Sequence, residues 1–467
     1  MHRRKFMMMA GAQFGWVAGC SVGEDFVRPS KDVPDQFFTR QNESSGLGNS
    51  ADWWRAFNDD KLNRLVELGL KQNLDIQRAV ARVEQSQAIL GAAGYPVSGV
   101  SRVGEARASA GGEDGRTESG FVRAEASWQV DLYGKLKREK EAAFYRLEGA
   151  YADANVARTT FLSELATAYV DARYFQELIR ILRRVVDSRE ETLAATLKAR
   201  QAAATGAKPE DGTTLPEVSE LDVAQARTLV ATARADLPEA RILFFKNVSR
   251  VGSLLGQAWN QPREGLDRTA PQPVPRTHSL RTGIPADLVR NRPDVTLAEN
   301  RLAEAVALAG VAKAELYPEL HLTGNINIGF SDDAFVPTAG FLRVGLDVPL
   351  FDLPERRSKV AFQKARAKEL LFAWEREVIE AVEEVQDALV SLNNHEDSVR
   401  YTAEAVAQTK EVLRLAREAY VGGGASFLQV LDAERALLSL ENALAQDRRN
   451  FAVDYVNLSV ALGGSFK

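Results

Sequence analysis

The feature that most constrains this chain is that it contains the same order of elements twice. A helical stretch that ends at Tyr-Pro occurs at 74–96 and again at 293–318. In both halves a segment of alternating residues follows, at 121–130 and 341–350, and runs on through Asp-Leu into a charged helix. Because an internal repeat of this kind reflects a duplicated unit, one structural solution has to serve both halves.

Alternation predicts two strands in each half, at about 97–109 and 120–132, and at about 319–330 and 340–351. Polar loops are expected between the strands of each pair, at 110–119 and 331–340. Strands of about 9–11 residues with one apolar and one polar face are typical of transmembrane β-barrels. Because about eight strands only just close around their own side chains, four strands predict a barrel shared by several chains. The alternative is a soluble antiparallel sheet that packs on helices.

The helices are longer than a compact domain requires. Residues 136–204 contain no proline, and residues 353–420 contain only Pro354, at the start, where proline is tolerated. At about 1.5 Å per residue, each run would extend roughly 100 Å. Apolar residues at three- and four-residue spacing follow in the last helix and predict coiled-coil packing: Val430, Ala433, Leu437, Leu440, Leu444 and Phe451. The predicted fold class is therefore mainly α with a small β part, built on long antiparallel helical hairpins.

Composition excludes several classes of function. The net charge is −5, which gives no argument for nucleic-acid binding. The four histidines are scattered, and no phosphate loop, dinucleotide fingerprint or nucleophile elbow occurs in the sequence. We therefore expect neither an enzyme nor a resident metal or cofactor.

The N-terminal residues 1–19 have the layout of a signal peptide, with a basic start followed by a short apolar run. Val17, Ala18 and Gly19 lead into Cys20, the only cysteine of the chain, and this resembles the lipobox of bacterial lipoproteins. We therefore expect a covalent lipid on Cys20 and delivery to the outer membrane, which the serine at position 21 permits. Ordinary signal cleavage beside an incidental cysteine and a twin-arginine signal remain alternatives.

Three consecutive glycines, Gly422, Gly423 and Gly424, interrupt the helical run and predict the tip of a hairpin at 421–426. Glycine permits the positive φ that ends one helix, and Ser426 is expected to cap the next. The corresponding turn of the first half contains Gly206 and ends before Ser219, and it is about ten residues longer. The extra residues either alter a docking surface or form a tolerated insertion.

Three stretches resemble the TolC-like outer-membrane efflux proteins, especially the lipoprotein branch with OprM and the NodT-type factors. The most specific is 284–329, with its Arg-Pro-Asp, Ala-Glu and Tyr-Pro elements before a strand. The others are the turn 420–426, followed by Leu-Asp-Ala at 431–433, and the stretch 219–227. The resemblance implies a homotrimer in which each chain gives four strands to a twelve-stranded outer-membrane β-barrel and long helices to a periplasmic α-barrel.

The resemblance also divides the chain. It implies a signal peptide at 1–19, a lipid-anchored and equatorial segment at 20–60, a first repeat at 61–257, an equatorial linker at 258–292, and a second repeat at 293–463.

For the tip, the resemblance implies a periplasmic gate. Three copies of Asp432 would form a carboxylate ring, and Arg435 and Tyr420 would hold neighbouring helices together. Gln429 departs from the family pattern, since some relatives carry a second aspartate there. The turn residues Gly422, Gly423, Gly424, Ser426, Gly206 and Ser219 are expected to dock a periplasmic adaptor. The alternatives are a surface carboxylate at 432 and a turn with no docking role.

The function implied is a passive outer-membrane duct in a tripartite RND-type efflux system, joined by the adaptor to an inner-membrane pump and carrying drugs or metal ions. One alternative is a type I secretion duct for proteins. Another is a periplasmic coiled-coil scaffold without a pore.

Overall fold

The fold was analysed in a computed structural model, which describes residues 21–32, 52–109, 116–204, 219–257, 266, 268–276, 292–331, 334–421 and 424–464. A short 3-10 helix, Trp53–Phe57, precedes α1 (Asp60–Gln72) and α2 (Leu74–Ala92). Strands β1 (Val97–Ser109) and β2 (Arg116–Val130) lead into α3 (Lys135–Ala204) and α4 (Glu220–Leu254). The second half repeats this order with α5 (Pro293–Ala314), β3 (Glu319–Ser331), β4 (Ala334–Asp347), α6 (Leu353–Val421) and α7 (Phe427–Ala461).

The predicted fold class is confirmed, with long helices and four antiparallel strands. Helix α3 has 70 residues and α6 has 69, because neither run contains an interior proline. Among the described residues, no helix is both long enough and apolar enough to cross a lipid bilayer.

The strands form one antiparallel sheet in the order β1-β2-β3-β4, so the two halves of the chain join through the β2–β3 pair. The register places the apolar residues of neighbouring strands side by side, as in the row Val97, Trp128, Leu322 and Val344. The alternate positions of the same strands carry polar residues, as in the row Ser98, Ser127, Thr323 and Arg343. Along these rows the sheet has one apolar and one polar face, as the alternation predicts, although Val100 and Phe341 also fall on the polar face.

Two strand boundaries differ from the prediction for identifiable reasons. Strand β2 ends at Val130 instead of 132, because the Asp131 carboxylate accepts hydrogen bonds from the backbone N–H groups of Leu136 (3.2 Å) and Lys137 (3.0 Å) at the start of α3. Strand β4 ends at Asp347 instead of 351, before Pro349, which has no N–H to donate to a ladder.

The predicted polar loops are also shorter than expected. Strand β2 already begins at Arg116 and β4 at Ala334, so parts of 110–119 and 331–340 are strand. The register between β3 and β4 shifts between Asn327 and Gly329, and Pro337 falls in the part of β4 beside that shift. Proline is tolerated at such irregularities, which explains how the strand continues through it.

The chain divides into two compact units that do not coincide with the two repeats. The first combines residues up to 31 with 80–153 and 294–378, and the second combines 32–79, 154–293 and 379–467. Each unit takes the equivalent part of both repeats, because the two ends of a 70-residue helix are too far apart to contact the same neighbours.

The second unit contains the main hydrophobic core. The 3-10 helix and α1 contribute Trp53, Trp54, Phe57 and Leu62, all nearly inaccessible. Helices α3, α4, α6 and α7 close around them, and the residues that they bury include Phe161, Leu165, Tyr169, Val251, Leu389, Leu392, Tyr455 and Leu458. The irregular stretch 268–276 joins this core through the Arg276 N–H, which donates to the Ala56 carbonyl at 3.1 Å.

In the first unit, the N-terminal segment 21–31 lies along the helices. The Val22 N–H donates to the Tyr133 carbonyl at 3.0 Å, and Arg138, whose side chain is 2% exposed, bonds Asp25 at 2.7 Å. Gly134 has a φ of +78°, and a Cβ there would approach the Ser21 Cα to 2.7 Å. Only glycine fits this close approach, so Gly134 fixes the position of Ser21. Cys20 lies outside the described residues.

Candidate functional site

The candidate site is the end of the second helical hairpin, where α6 stops at Val421 and α7 begins at Phe427. Gly422 and Gly423 lie outside the described residues. The Gly424 N–H donates to the Ala419 carbonyl at 2.8 Å, which satisfies one of the last carbonyls of α6. Gly424 is not among the described glycines with positive φ, so the conformational argument made for the triplet does not apply to it.

Ser426 and Gln429 together begin α7. The Gln429 side-chain oxygen accepts a hydrogen bond from the Ser426 N–H at 2.9 Å, as the N3 residue of a capping box. Sequence reasoning treated Gln429 only as a departure from an acidic gate pattern. The serine followed three residues later by glutamine was the local signal for this second role.

Asp432 and Arg435 lie one turn apart on α7. An Asp432 carboxylate oxygen is 3.7 Å from an Arg435 guanidinium nitrogen, and the two side chains are 63% and 55% exposed. An ion pair this exposed contributes little to stability, so both groups remain available to other charges. Tyr420 packs instead against a small apolar cluster centred on Leu413, Val430 and Ala433.

The first hairpin ends differently. Helix α3 stops at Ala204, Gly206 lies outside the described residues, and Ser219 caps α4. The Ser219 hydroxyl oxygen accepts from the Asp222 N–H at 3.2 Å, and the Asp222 carboxylate accepts from the Ser219 N–H at 2.8 Å. The Ser219 hydroxyl also donates to the Asp222 carboxylate at 2.7 Å, and this bond, followed by the one from the Ser219 N–H, holds the pKa of Asp222 below its usual value. Arg200 and Glu220 form an ion pair across this hairpin.

A cavity of about 310 Å³ lies within the second unit beside Arg435, lined by residues of all four long helices. This cavity was not predicted from the sequence.

Two carboxylates of α7 line the cavity. Glu434, 17% exposed, accepts from Arg417 of α6 at 2.6 Å and from the Ser188 hydroxyl of α3 at 3.3 Å. The carboxylate of Glu441, two turns later on α7, forms ion pairs with the Arg184 guanidinium at 2.8 Å and the Lys410 ammonium at 3.4 Å. The seven-residue spacing of Glu434 and Glu441 places both carboxylates on one face of α7, and this spacing could have indicated the pair from the sequence.

Arginines surround these two carboxylates. Arg189 donates to the Leu229 carbonyl at 2.7 Å, which ties α3 to α4. The pKa of the Arg189 guanidinium is lowered, chiefly because burial disfavours its charge and secondarily because Arg435 repels it. The arrangement therefore links the two hairpins through charges within the cavity and leaves the carboxylate of Asp432 exposed outside it. Within the described part of the chain, no cluster of histidine, cysteine, aspartate or glutamate is suited to hold a metal ion.

Comparisons with known proteins agree with this architecture. A family model described as outer membrane efflux protein matches residues 65–257 and 284–464. The chain is 32% identical to nodulation protein T of Rhizobium leguminosarum bv. viciae, with 96% of this chain and 92% of that protein covered. It is 25% identical to the cation efflux system protein CusC of Escherichia coli, with 97% of each covered.

Among solved structures, the outer-membrane channel OprN is similar, with a TM-score of 0.81 and 26% identity. The likeness covers 96% of this chain and 99% of that one. The resemblance to the TolC-like efflux proteins is thereby confirmed, and this chain belongs to the outer membrane efflux protein family.

Proposed function

We propose that three copies of this chain form a passive duct across the outer membrane, through which an inner-membrane pump of the RND type expels small molecules such as drugs or metal ions. The observation that carries the proposal is the four-stranded sheet. Its apolar face is exposed on the single chain, with Leu342, Val344 and Leu346 at 79%, 65% and 58%. An apolar strand face of this size requires a partner, and in a membrane barrel lipid covers it.

The unpaired edges of the sheet support a trimer. Within the part of the chain that the structure describes, strands β1 and β4 each pair on one side only. Unpaired edges template further pairing, and a closed barrel removes them. Three copies supply twelve strands, which is enough to enclose a water-filled interior lined by the polar face. The similar protein OprN is an outer-membrane channel, and CusC is a protein of a cation efflux system, which supports the same arrangement.

The tip of the second hairpin is the part of the chain that we propose meets the periplasmic adaptor. Gly424 and Ser426 are exposed in the turn, and a small, exposed turn of this kind suits close approach by the backbone of a periplasmic adaptor. Asp432 would supply the acidic ring of the gate. The cavity charges around Glu434 and Glu441 would hold each pair of hairpins together while the tip opens.

The lipid anchor belongs to the same proposal. Ser21 is held against Gly134, four residues after the end of β2 at Val130. A lipid on Cys20 would therefore enter the bilayer beside the end of the sheet. A single acyl anchor gives only marginal membrane binding, so lipid and barrel would act together.

Ion conductance of the detergent-purified protein in planar bilayers tests the duct. We expect a small, cation-favouring conductance for the wild type. For Asp432→Ala we expect conductance to rise by about two-fold or more, because a charged constriction has been removed. Asp397→Ala is the matched control and is expected to leave the conductance unchanged, because Asp397 is similarly exposed and likewise pairs with an arginine three residues later, Arg400, but lies 24 residues before the end of α6 at Val421.

The absence of current from wild type and from Asp432→Ala, in protein shown to be folded, would favour the scaffold alternative over the duct. Equal increases in Asp432→Ala and Asp397→Ala would support the duct but show that Asp432 is not its gate.

A further inference from the structure

Two arginines lie directly opposite each other on the polar face of the sheet. The register pairs Arg102 of β1 with Arg123 of β2, and both side chains are exposed. Among the described residues neither one has an ion-pair partner. Like charges directly opposite on neighbouring strands destabilise a sheet. The pair is therefore unfavourable in the isolated chain unless something negative lies between or above the two guanidinium groups.

The other side chains of this face do not supply enough negative charge locally. Arg343 of β4 lies on the same face, opposite Thr323, and adds a third cation. Asn327 is the neighbour of Arg123 on β3 and carries no charge. Glu125, two residues from Arg123, is the nearest carboxylate on the face and offsets one of the three positive charges.

The remaining described carboxylates of the face lie at its other end. Glu319 and Asp347 are opposite each other, eight residues along β3 from Asn327. Eight residues of strand extend about 27 Å. That distance exceeds the Debye length of about 8 Å at physiological salt, so these carboxylates do not neutralise the arginines. Glu319 is in addition paired with Lys135 at 2.8 Å.

We propose that Arg102 and Arg123 of the three copies form a cationic ring that binds anionic groups and so favours, among the drugs that the duct carries, those that bear carboxylates or phosphates. This inference rests on the proposed function, because the ring exists only if the polar face lines a shared barrel. Rings of charged side chains set the selectivity of pores. Guanidinium groups bind carboxylate and phosphate oxygens in a two-point geometry, which suits the arginine pair to this class of ligand.

The experiment is block of single-channel current by inorganic tripolyphosphate, added to each chamber of a planar bilayer in turn. Wild type is compared with the double variant Arg102→Gln, Arg123→Gln and with the charge-conserving control Arg102→Lys, Arg123→Lys. The current before tripolyphosphate is added shows that each variant has folded and inserted.

We expect tripolyphosphate to block the wild type and the lysine control from the chamber nearer the ring. In the glutamine variant the concentration for half-block should rise about ten-fold or more, because six positive charges have left the trimer's pore. Under a potassium chloride gradient, the reversal potential of the glutamine variant should also shift toward the potassium potential.

Equal block of the wild type and the glutamine variant would overturn the ring while leaving the duct intact. A wild-type channel that conducts but is insensitive to tripolyphosphate would overturn it as well. The absence of any current from folded wild type and Asp432→Ala would instead contradict the proposed function, so the two failures are distinguishable.

Discussion

At the scale of single residues, a polar network inside the second unit links three parts of the chain. The buried Tyr169 hydroxyl donates to Asp59 at 2.6 Å and accepts from the Arg173 guanidinium at 3.1 Å. The other Asp59 oxygen caps α1 by accepting from the Lys61 N–H at 2.8 Å. Arg173 also donates to the Arg268 carbonyl at 3.0 Å. Burial, and then the bond to Asp59, raise the pKa of Tyr169, which keeps the phenol protonated.

We predict that Tyr169→Phe lowers the free energy of unfolding by about 1–3 kcal/mol, because the buried Arg173 and the half-buried Asp59 each lose a partner. The matched control is Tyr151→Phe, where the lost hydroxyl accepts from Gln87 at 2.8 Å at an exposed position. That loss should cost less than about 0.5 kcal/mol. Urea unfolding of the solubilised protein, followed by circular dichroism, measures both, and equal effects would contradict the role given to this network.

This network also shows what the sequence does not reveal. Asp59 and Tyr169 are 110 residues apart, and neither has a local pattern that indicates the other. The same holds for Glu434, whose partners come from α3 and α6. Caps, in contrast, were predictable. Ser219 and Ser426 each lie three residues before their capping partner, within the reach of a sequence motif.

At the scale of elements, helix boundaries were predicted within a residue or two, because glycine, proline and capping residues mark them locally. The two long helices were predicted at 136–204 and 353–420, and they are observed at Lys135–Ala204 (α3) and Leu353–Val421 (α6). Strand boundaries were less accurate, with β4 beginning at Ala334 instead of 340. Strand ends depend on where the partner strand continues to pair, and on the helix-capping bonds of Asp131 and the missing N–H of Pro349, which alternation does not encode.

Close packing of α1 against the core gives a prediction at this scale. A Cβ on the buried Gly69 would overlap the ring of Phe161 and lie 3.1 Å from the Leu255 side chain. Gly69→Ala should therefore destabilise the protein by about 1–3 kcal/mol through overpacking. On α2, a Cβ on Gly91 would meet nothing within 4 Å. Gly91→Ala should stabilise by up to about 1 kcal/mol, because alanine favours helix over glycine.

The two glycine variants control each other, since they make the same chemical change in helices of the same half of the chain. Thermal unfolding of both, in the same detergent, is the measurement. If both variants were destabilised by a similar amount, overlap with Phe161 would not explain the effect of Gly69→Ala, and the prediction would be wrong.

At the scale of the whole molecule, the repeat read from the sequence and the compact units of the structure describe the same chain differently. The repeat fixes the order of elements, while each unit gathers the equivalent parts of both halves. The family and the mainly helical fold could be predicted because their motifs are local. The number of chains in a barrel is not local information. The four described strands and the two edges that they leave unpaired indicate only that a barrel needs further chains, and the number three is part of the proposed function.

The measurement that tests this account most directly is the mass of the detergent-solubilised particle by native mass spectrometry. The full chain has a mass of 51.3 kDa. The account predicts a particle of three mature chains that stays together in detergent, because three sheets of four strands close the barrel. A stable particle of one or two chains, from protein with its native helical content, would contradict the shared barrel and the duct that depends on it.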